Sequence, residues 1–120
     1  MPSFAQKITQ PIAVQGTISA GTSLSAPINL KGYTLSILLL PAAWTTANIT
    51  LQVSYDGITY YNLYNQDGTE YTIIAAINRA VVVQPSDLAA VEYIKLRSGT
   101  AGTPIIQVAD ALITMVAIDV

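Results

Sequence analysis

Apolar and polar residues alternate along most of the chain, in short stretches separated by Gly, Pro, Asn and Asp. The clearest stretch is residues 49–55, where Ile, Leu, Val and Tyr occupy every second position and Thr, Gln and Ser the positions between. A period of two is that of a strand with one buried face. Turn residues recur about every 8–12 positions, a spacing typical of a β-sandwich or barrel. The pattern predicts an all-β protein.

The alternation predicts an antiparallel β-sandwich of about 8–10 strands with no long helix. The predicted strands cover residues 8–14, 23–30, 33–40, 49–55, 59–64, 71–77, 80–83, 93–97, 104–108 and 112–120. Between the seventh and eighth strands, residues 85–88 predict one short helical turn, capped by Ser86 or Asp87.

Two Asp-Gly pairs mark tight turns in the middle of the chain. Asp56-Gly57 and Asp67-Gly68 suit the positive φ angles of two-residue hairpin loops. Since these pairs separate three predicted strands, we expect the three strands to form a meander.

The first nine residues differ from the rest. They contain Pro2 and show little periodicity before Lys7, so residues 1–9 are predicted to form an extended N-terminal arm. Residues 10–120 are then one β-sandwich domain, a normal size for a single core. Phe4 and Ile8 offer apolar anchors on the arm, and we expect a partner to order it.

The last predicted strand is apolar on both faces. A strand with two apolar faces is typical of the middle of a sheet, where the core covers one of those faces. Its other side would be covered by a neighbouring subunit or by the protein's own loops, and the sequence leaves both open. Met115 on this strand is therefore a candidate interface residue.

Charged residues make up only 10% of the chain, against about 25% in a typical soluble domain. Much of the remaining polarity is neutral Thr, Ser, Gln and Asn, which tolerate burial at a protein contact better than Lys or Glu. This composition favours a permanently assembled subunit, with a homotrimer favoured over a dimer. The alternative is that strand-rich proteins simply favour Thr.

The chain has no histidine and no cysteine. Serine-protease-like triads, imidazole bases and the usual zinc sites are therefore excluded, and we expect no enzymatic activity and no cofactor. Asp56, Asp67 and Glu70 could supply oxygen ligands to calcium, but their spacing matches no known loop motif. We interpret the first two as turn formers.

Five basic residues are dispersed along a chain of net charge −2, which disfavours a nucleic-acid partner. Lys95 and Arg97 alternate on one strand and are expected on its solvated face. The longest apolar stretch, residues 37–44, contains Pro41 and is far shorter than the roughly 20 residues of a membrane span.

Tyrosines and the single tryptophan concentrate between Trp44 and Tyr71. Tyr60 and Tyr61 are adjacent, so they must point to opposite faces, and one lies outside the sheet or at its edge. With Tyr64 they are candidate partner contacts, because tyrosine is enriched in contact surfaces. Trp44 either fills the core at one end of the sandwich or stands exposed as a binding platform.

The segment from Trp44 through Gly57, continuing as Tyr60-Tyr61-Asn62-Leu63-Tyr64, resembles small jelly-roll proteins of tailed bacteriophages. Among these are the capsid cement or decoration proteins of the outer head surface. The residues that carry the resemblance make up about one sixth of the chain, and the resemblance implies a jelly-roll-like sandwich. It further implies a homo-oligomer on the outer capsid surface of the virion, which clamps neighbouring major capsid protein subunits.

Two other interpretations share parts of this pattern. The Ser54-Tyr55-Asp56-Gly57 hairpin is also similar to galactose-binding-like and discoidin-type modules, which would make the chain a carbohydrate-binding or receptor-binding domain. Few Arg residues and a single Trp disfavour that carbohydrate site. Another virion position, such as neck, tail or fibre base, fits the same features. The cement interpretation predicts that Trp44 is buried.

Overall fold

The computed structural model describes residues 10–119 of the chain. These residues form nine strands and one 3₁₀ turn: β1 Ile12–Ile18, β2 Ile28–Asn29, β3 Thr34–Leu39, β4 Ile49–Ser54, β5 Tyr61–Asn62, β6 Thr72–Ile73, β7 Ala80–Val82, η1 Pro85–Leu88, β8 Tyr93–Ser98 and β9 Ala111–Ile118. Across this range no helix has the length and apolar character needed to span a membrane.

The strands form two antiparallel sheets that pack as a sandwich. One sheet has the order β1-β9-β3-β7 and the other β2-β8-β4-β5, with β6 also paired to β4. β5 and β6 lie end to end along one edge of β4, since β5 pairs with Gln52 and Val53 and β6 with Ile49 and Thr50. Nine strands thus fill the eight positions of a jelly roll, and the predicted fold class is confirmed.

The core lies between the sheets and is built from the apolar positions of the alternating pattern. Leu35, Leu38, Leu51 and Leu96 are fully buried there. Trp44 closes one end of the core at 4% exposure, and its indole Nε1 donates a hydrogen bond of 3.2 Å to the Ala47 carbonyl. The prediction that Trp44 fills the core is confirmed, which removes it as a binding platform.

β9 lies in the middle of its sheet, between β1 and β3. Met115 is fully buried on its core side, so the predicted role of Met115 in a partner interface is wrong. Gly16 on β1 makes room for it: a Cβ at Gly16 would lie 3.2 Å from Met115 Cε and 2.5 Å from Ile28 Cδ1.

Several predicted elements differ from the structure. The strands predicted at residues 23–30, 59–64 and 71–77 shorten to β2, β5 and β6, of two residues each. The predicted meander forms only in part: Tyr64 and Glu70 make one antiparallel bridge across the Asp67-Gly68 turn, but β6 then pairs with β4 rather than continuing the sheet beyond β5. The strand predicted at residues 104–108 is absent apart from one bridge between Gly99 and Pro104. Gly99 has φ +87, which ends β8 in a turn, and the following segment bonds to loops: the Gln107 N–H donates to the Thr22 carbonyl.

The helical turn predicted at residues 85–88 is confirmed as η1, but its capping is wrong. Gln84 occupies the N-cap position and makes no side-chain cap hydrogen bond. Asp87 instead accepts a hydrogen bond of 3.0 Å from the Tyr71 hydroxyl. Burial, followed by this hydrogen bond, raises the pKa of Tyr71 to about 12.

Candidate interaction surface

The outer face of the four-stranded sheet carries no charged residue on its strands. One row across it is wholly aliphatic: Ala13 of β1 pairs with Val116 of β9, which pairs with Ile37 of β3, which pairs with Val82 of β7. The next row consists of Gln15, Thr114, Leu39 and Ala80. We call these eight residues the uncharged face.

Several side chains on this side of the sheet are open to solvent. Val82 is 77% exposed, Leu39 is 40% exposed, and Leu112 beside the uncharged face is 47% exposed. Four strands spaced by about 4.8 Å, with two side-chain rows about 6.8 Å apart, give the uncharged face a footprint of roughly 260 Å². Exposed apolar patches of this size often mark interaction sites.

The outer face of the other sheet is polar and bonded to itself. Arg97 is only 6% exposed and lies at the centre of a hydrogen-bond network. Its Nη1 lies 3.2 Å from both Glu70 Oε2 and Thr50 Oγ1, and its Nη2 lies 2.6 Å from Asn62 Oδ1. The expectation that Arg97 is solvated is therefore wrong, because Glu70 and these two acceptors replace water around its guanidinium.

The Glu70 carboxylate has a second donor, the Ala101 N–H, at 3.0 Å from Oε2. Its oxygens are thus engaged within the chain rather than directed toward a cleft. We call Arg97, Glu70, Thr50 and Asn62 the polar network. The hydrogen bonds of the polar network connect β4, β5 and β8 to the loops that carry Glu70 and Ala101, so its role is structural.

Tyr60 and Tyr61 lie on opposite sides of the sheet, as predicted. The Tyr60 ring lies 4.4 Å below Lys95 Nζ on the outer face, an arrangement with cation–π attraction. Its hydroxyl is buried and has no hydrogen-bond partner within residues 10–119, and burial raises its pKa. Tyr61 pairs with Val53 and is 66% exposed, and Tyr64 is 52% exposed.

Tyr61 also borders a cavity of about 210 Å³ at one end of the sandwich. The lining residues are Val53, Ser54, Tyr55, Tyr61, Ala90 and Val91. The Ser54 hydroxyl is already engaged, since it donates to Asp56 Oδ1 at 2.9 Å and accepts from the Gly57 N–H at 2.9 Å. The cavity therefore suits apolar or aromatic groups better than a ligand that needs several hydrogen bonds.

Asp56 and Asp67 organise their own loops. Asp56 Oδ1 accepts from the N–H groups of Ile58 and Thr59 at 2.9 and 3.0 Å, and these bonds lower the pKa of Asp56. Asp67 accepts from the Thr69 hydroxyl and N–H, which lowers its pKa likewise. Within residues 10–119, no group of three or more Asp, Glu, His or Cys side chains is placed to hold a metal ion.

The predicted partner contacts divide into three groups. Phe4 and Ile8 lie outside the described residues, and Met115 is in the core. Tyr61 and Tyr64 are exposed, whereas Tyr60 is partly covered. Sequence reasoning missed Leu39 and Val82, although the lack of strict alternation in both strands was a usable signal of an apolar outer face.

Comparison of the chain with protein-family models, curated proteins and solved structures finds no match.

Proposed function

We propose that the protein is a structural subunit that attaches to a larger protein assembly, and specifically a cement or decoration protein on the outer surface of a phage head. The observation that carries this proposal is the uncharged face. Its eight positions include no Lys, Arg, Asp or Glu, and Val82 is 77% exposed. Cores of protein interfaces are depleted in charge in the same way.

The uncharged face suits a flat, repeated partner such as the major capsid protein. A strand surface presents its side chains as a regular, rigid array, so little conformational entropy is lost when it docks. A footprint of roughly 260 Å² gives only modest affinity per copy. Attachment at many symmetry-related positions of a shell converts such contacts into a stable layer.

The test is co-sedimentation of the purified protein with heads of the phage whose genome carries the sequence. We expect the wild-type protein to pellet with the heads. Val82→Lys should weaken this binding by roughly tenfold or more, because a buried lysine without a partner is costly at an interface core.

The matched control is Gln52→Lys, which places the same charge on the outer face of the other sheet. This variant should pellet like the wild-type protein. Failure of the wild-type protein to bind heads, or equal loss of binding in both variants, would contradict the proposal.

A carbohydrate-binding or receptor-binding module is the second candidate, favoured by the exposure of Tyr55 at 85% and Tyr61 at 66% beside the cavity. Exposed aromatic rings can stack on sugar faces, but the cavity offers few free hydrogen-bonding groups. A glycan array distinguishes the two functions. Binding of a glycan that Tyr61→Ala abolishes and Val82→Lys preserves would favour this second function.

A further inference from the structure

β1 is an edge strand with one open side. Residues Ile12–Ile18 pair with β9 and with no other strand of the described chain. In an antiparallel ladder, every second residue directs its N–H and C=O away from its partner. Within residues 10–119, none of the β1 backbone groups on this open side has a hydrogen-bond partner.

Natural sheets usually protect such edges with short strands, prolines, bulges or charged residues. The other edge strands of the described chain, β2, β5, β6 and β7, have only two or three residues each. β1 has seven residues, contains no charge and no proline, and keeps an unbroken register with β9. Among the described edge strands, β1 is therefore the one that is long and lacks these protective features.

We propose that β1 pairs with β1 of a second copy of this chain, antiparallel and about a two-fold axis at Gln15. This register places Ile12 opposite Ile18 of the second copy, and Ala13 opposite its Thr17. It pairs all seven residues of the strand. The next residue outward is Pro11, which has no N–H to continue the ladder.

Two features of β1 favour a second copy of this chain as its partner: the strand carries no charge, and its sequence can pair with itself in register. In a two-fold pairing each strand meets its own sequence, so any charged edge would repel itself. β1 contains no charge. The amide of its central residue, Gln15, donates one hydrogen to Thr114 Oγ1 at 3.5 Å, and its second N–H and its oxygen can bond the same amide of the second copy. Because the register preserves the inward and outward faces, the two four-stranded sheets become continuous and their uncharged faces adjoin.

This pairing gives a dimer, in place of the trimer expected from composition. A ring of three would need a head-to-tail contact between two different edges of the sheet. The opposite edge is β7, which offers only three residues. The inference does not depend on attachment to a phage head.

A cysteine cross-link tests the register directly, because the chain contains no cysteine. Directly opposed residues have Cα atoms about 4.5–5.5 Å apart, within the range of a disulfide. Gln15→Cys should therefore form a covalent dimer under mild oxidation. Thr17→Cys is the matched control, because the two copies of residue 17 would lie about 13 Å apart.

A charge exchange tests the same axis in solution. Gln15→Lys and Gln15→Glu should each weaken dimerisation by roughly tenfold in sedimentation equilibrium, through repulsion across the axis. An equimolar mixture should restore dimerisation. Ala80→Lys, in the same row as Gln15 but three strands away on β7, should leave it unchanged.

The proposal is overturned by a wild-type protein that stays monomeric or forms a trimer, or by cross-linking of Thr17→Cys as readily as Gln15→Cys. Loss of dimerisation in Ala80→Lys but not in Gln15→Lys would also overturn it. That result would show face-to-face packing of sheets instead of edge pairing.

Discussion

The two outer faces of the sandwich are built from the same strand geometry but use their side chains differently. On the five-stranded sheet, Arg97 and Glu70 form an ion pair of 3.2 Å. Arg97 also donates to neighbouring strands, and Glu70 accepts from the loop N–H of Ala101. On the four-stranded sheet, Val82 and Leu39 are exposed and their neighbours are aliphatic or neutral. Substitutions on the first face should therefore alter folding, and substitutions on the second should alter association.

The largest effect is expected when the polar network is broken. Arg97→Ala leaves the Glu70 carboxylate mostly buried without its cation, which should lower the free energy of unfolding by about 3 kcal/mol. Chemical denaturation measures the loss. Val82→Ala on the uncharged face is the control and should change stability by less than about 0.5 kcal/mol.

A double variant, Arg97→Met with Glu70→Gln, distinguishes the contribution of the ion pair to stability from that of the packing around it. Because neither charge is then left alone, much of the lost stability should return. The comparison between faces would be wrong if Arg97→Ala and Val82→Ala had equal effects on unfolding.

A smaller effect of opposite sign is expected at Tyr60. Its buried hydroxyl has no hydrogen-bond partner in the described part of the chain. Tyr60→Phe removes this unsatisfied group and keeps the ring under Lys95, so stability should be unchanged or rise by up to about 1 kcal/mol. Tyr64→Phe, at an exposed tyrosine, should have no effect. A clear destabilisation by Tyr60→Phe would reveal a partner for the hydroxyl.

The smallest effect concerns pH. Hydrogen bonds from Ile58 and Thr59 lower the pKa of Asp56 in the folded state, so its contribution to stability is present above the unfolded pKa. It is lost as the pH falls through the folded pKa. Asp56→Asn should therefore be less stable than wild type near pH 6, and this difference should shrink toward pH 2–3.

Denaturation midpoints across this pH range test the prediction. Glu92→Gln serves as the control for removing one negative charge elsewhere. A difference between Asp56→Asn and wild type that stays constant with pH would exclude the Asp56 carboxylate as its source.

Local pattern predicted the sheets well because alternation and turn residues act over a few positions. β4 was expected at residues 49–55 and occupies Ile49–Ser54, and β8 was expected at 93–97 and occupies Tyr93–Ser98. The segment at residues 104–108 has a similar composition, but Gly99 and the following turn direct it away from the sheet. Only tertiary contacts distinguish these cases.

The candidate surface was harder to predict, since its residues come from distant segments. Arg97 was expected in solvent, because nothing in its own strand indicates that Glu70 and Asn62, 27 and 35 residues away, would surround it. Met115 was expected at an interface because its strand is apolar on both sides. Which side faces the core depends on the register with β1, which short-range pattern does not specify.

The position of β9 also bears on how the protein is made. It is the last strand in chain order among the described residues, yet it joins β1 to β3 in the middle of their sheet. While the ribosome is still synthesising the segment before Ala111, these two strands lack the partner that links them, and their apolar sides stay exposed. We therefore expect the domain to fold only once β9 has emerged from the ribosome, with nascent chains depending on chaperones until then.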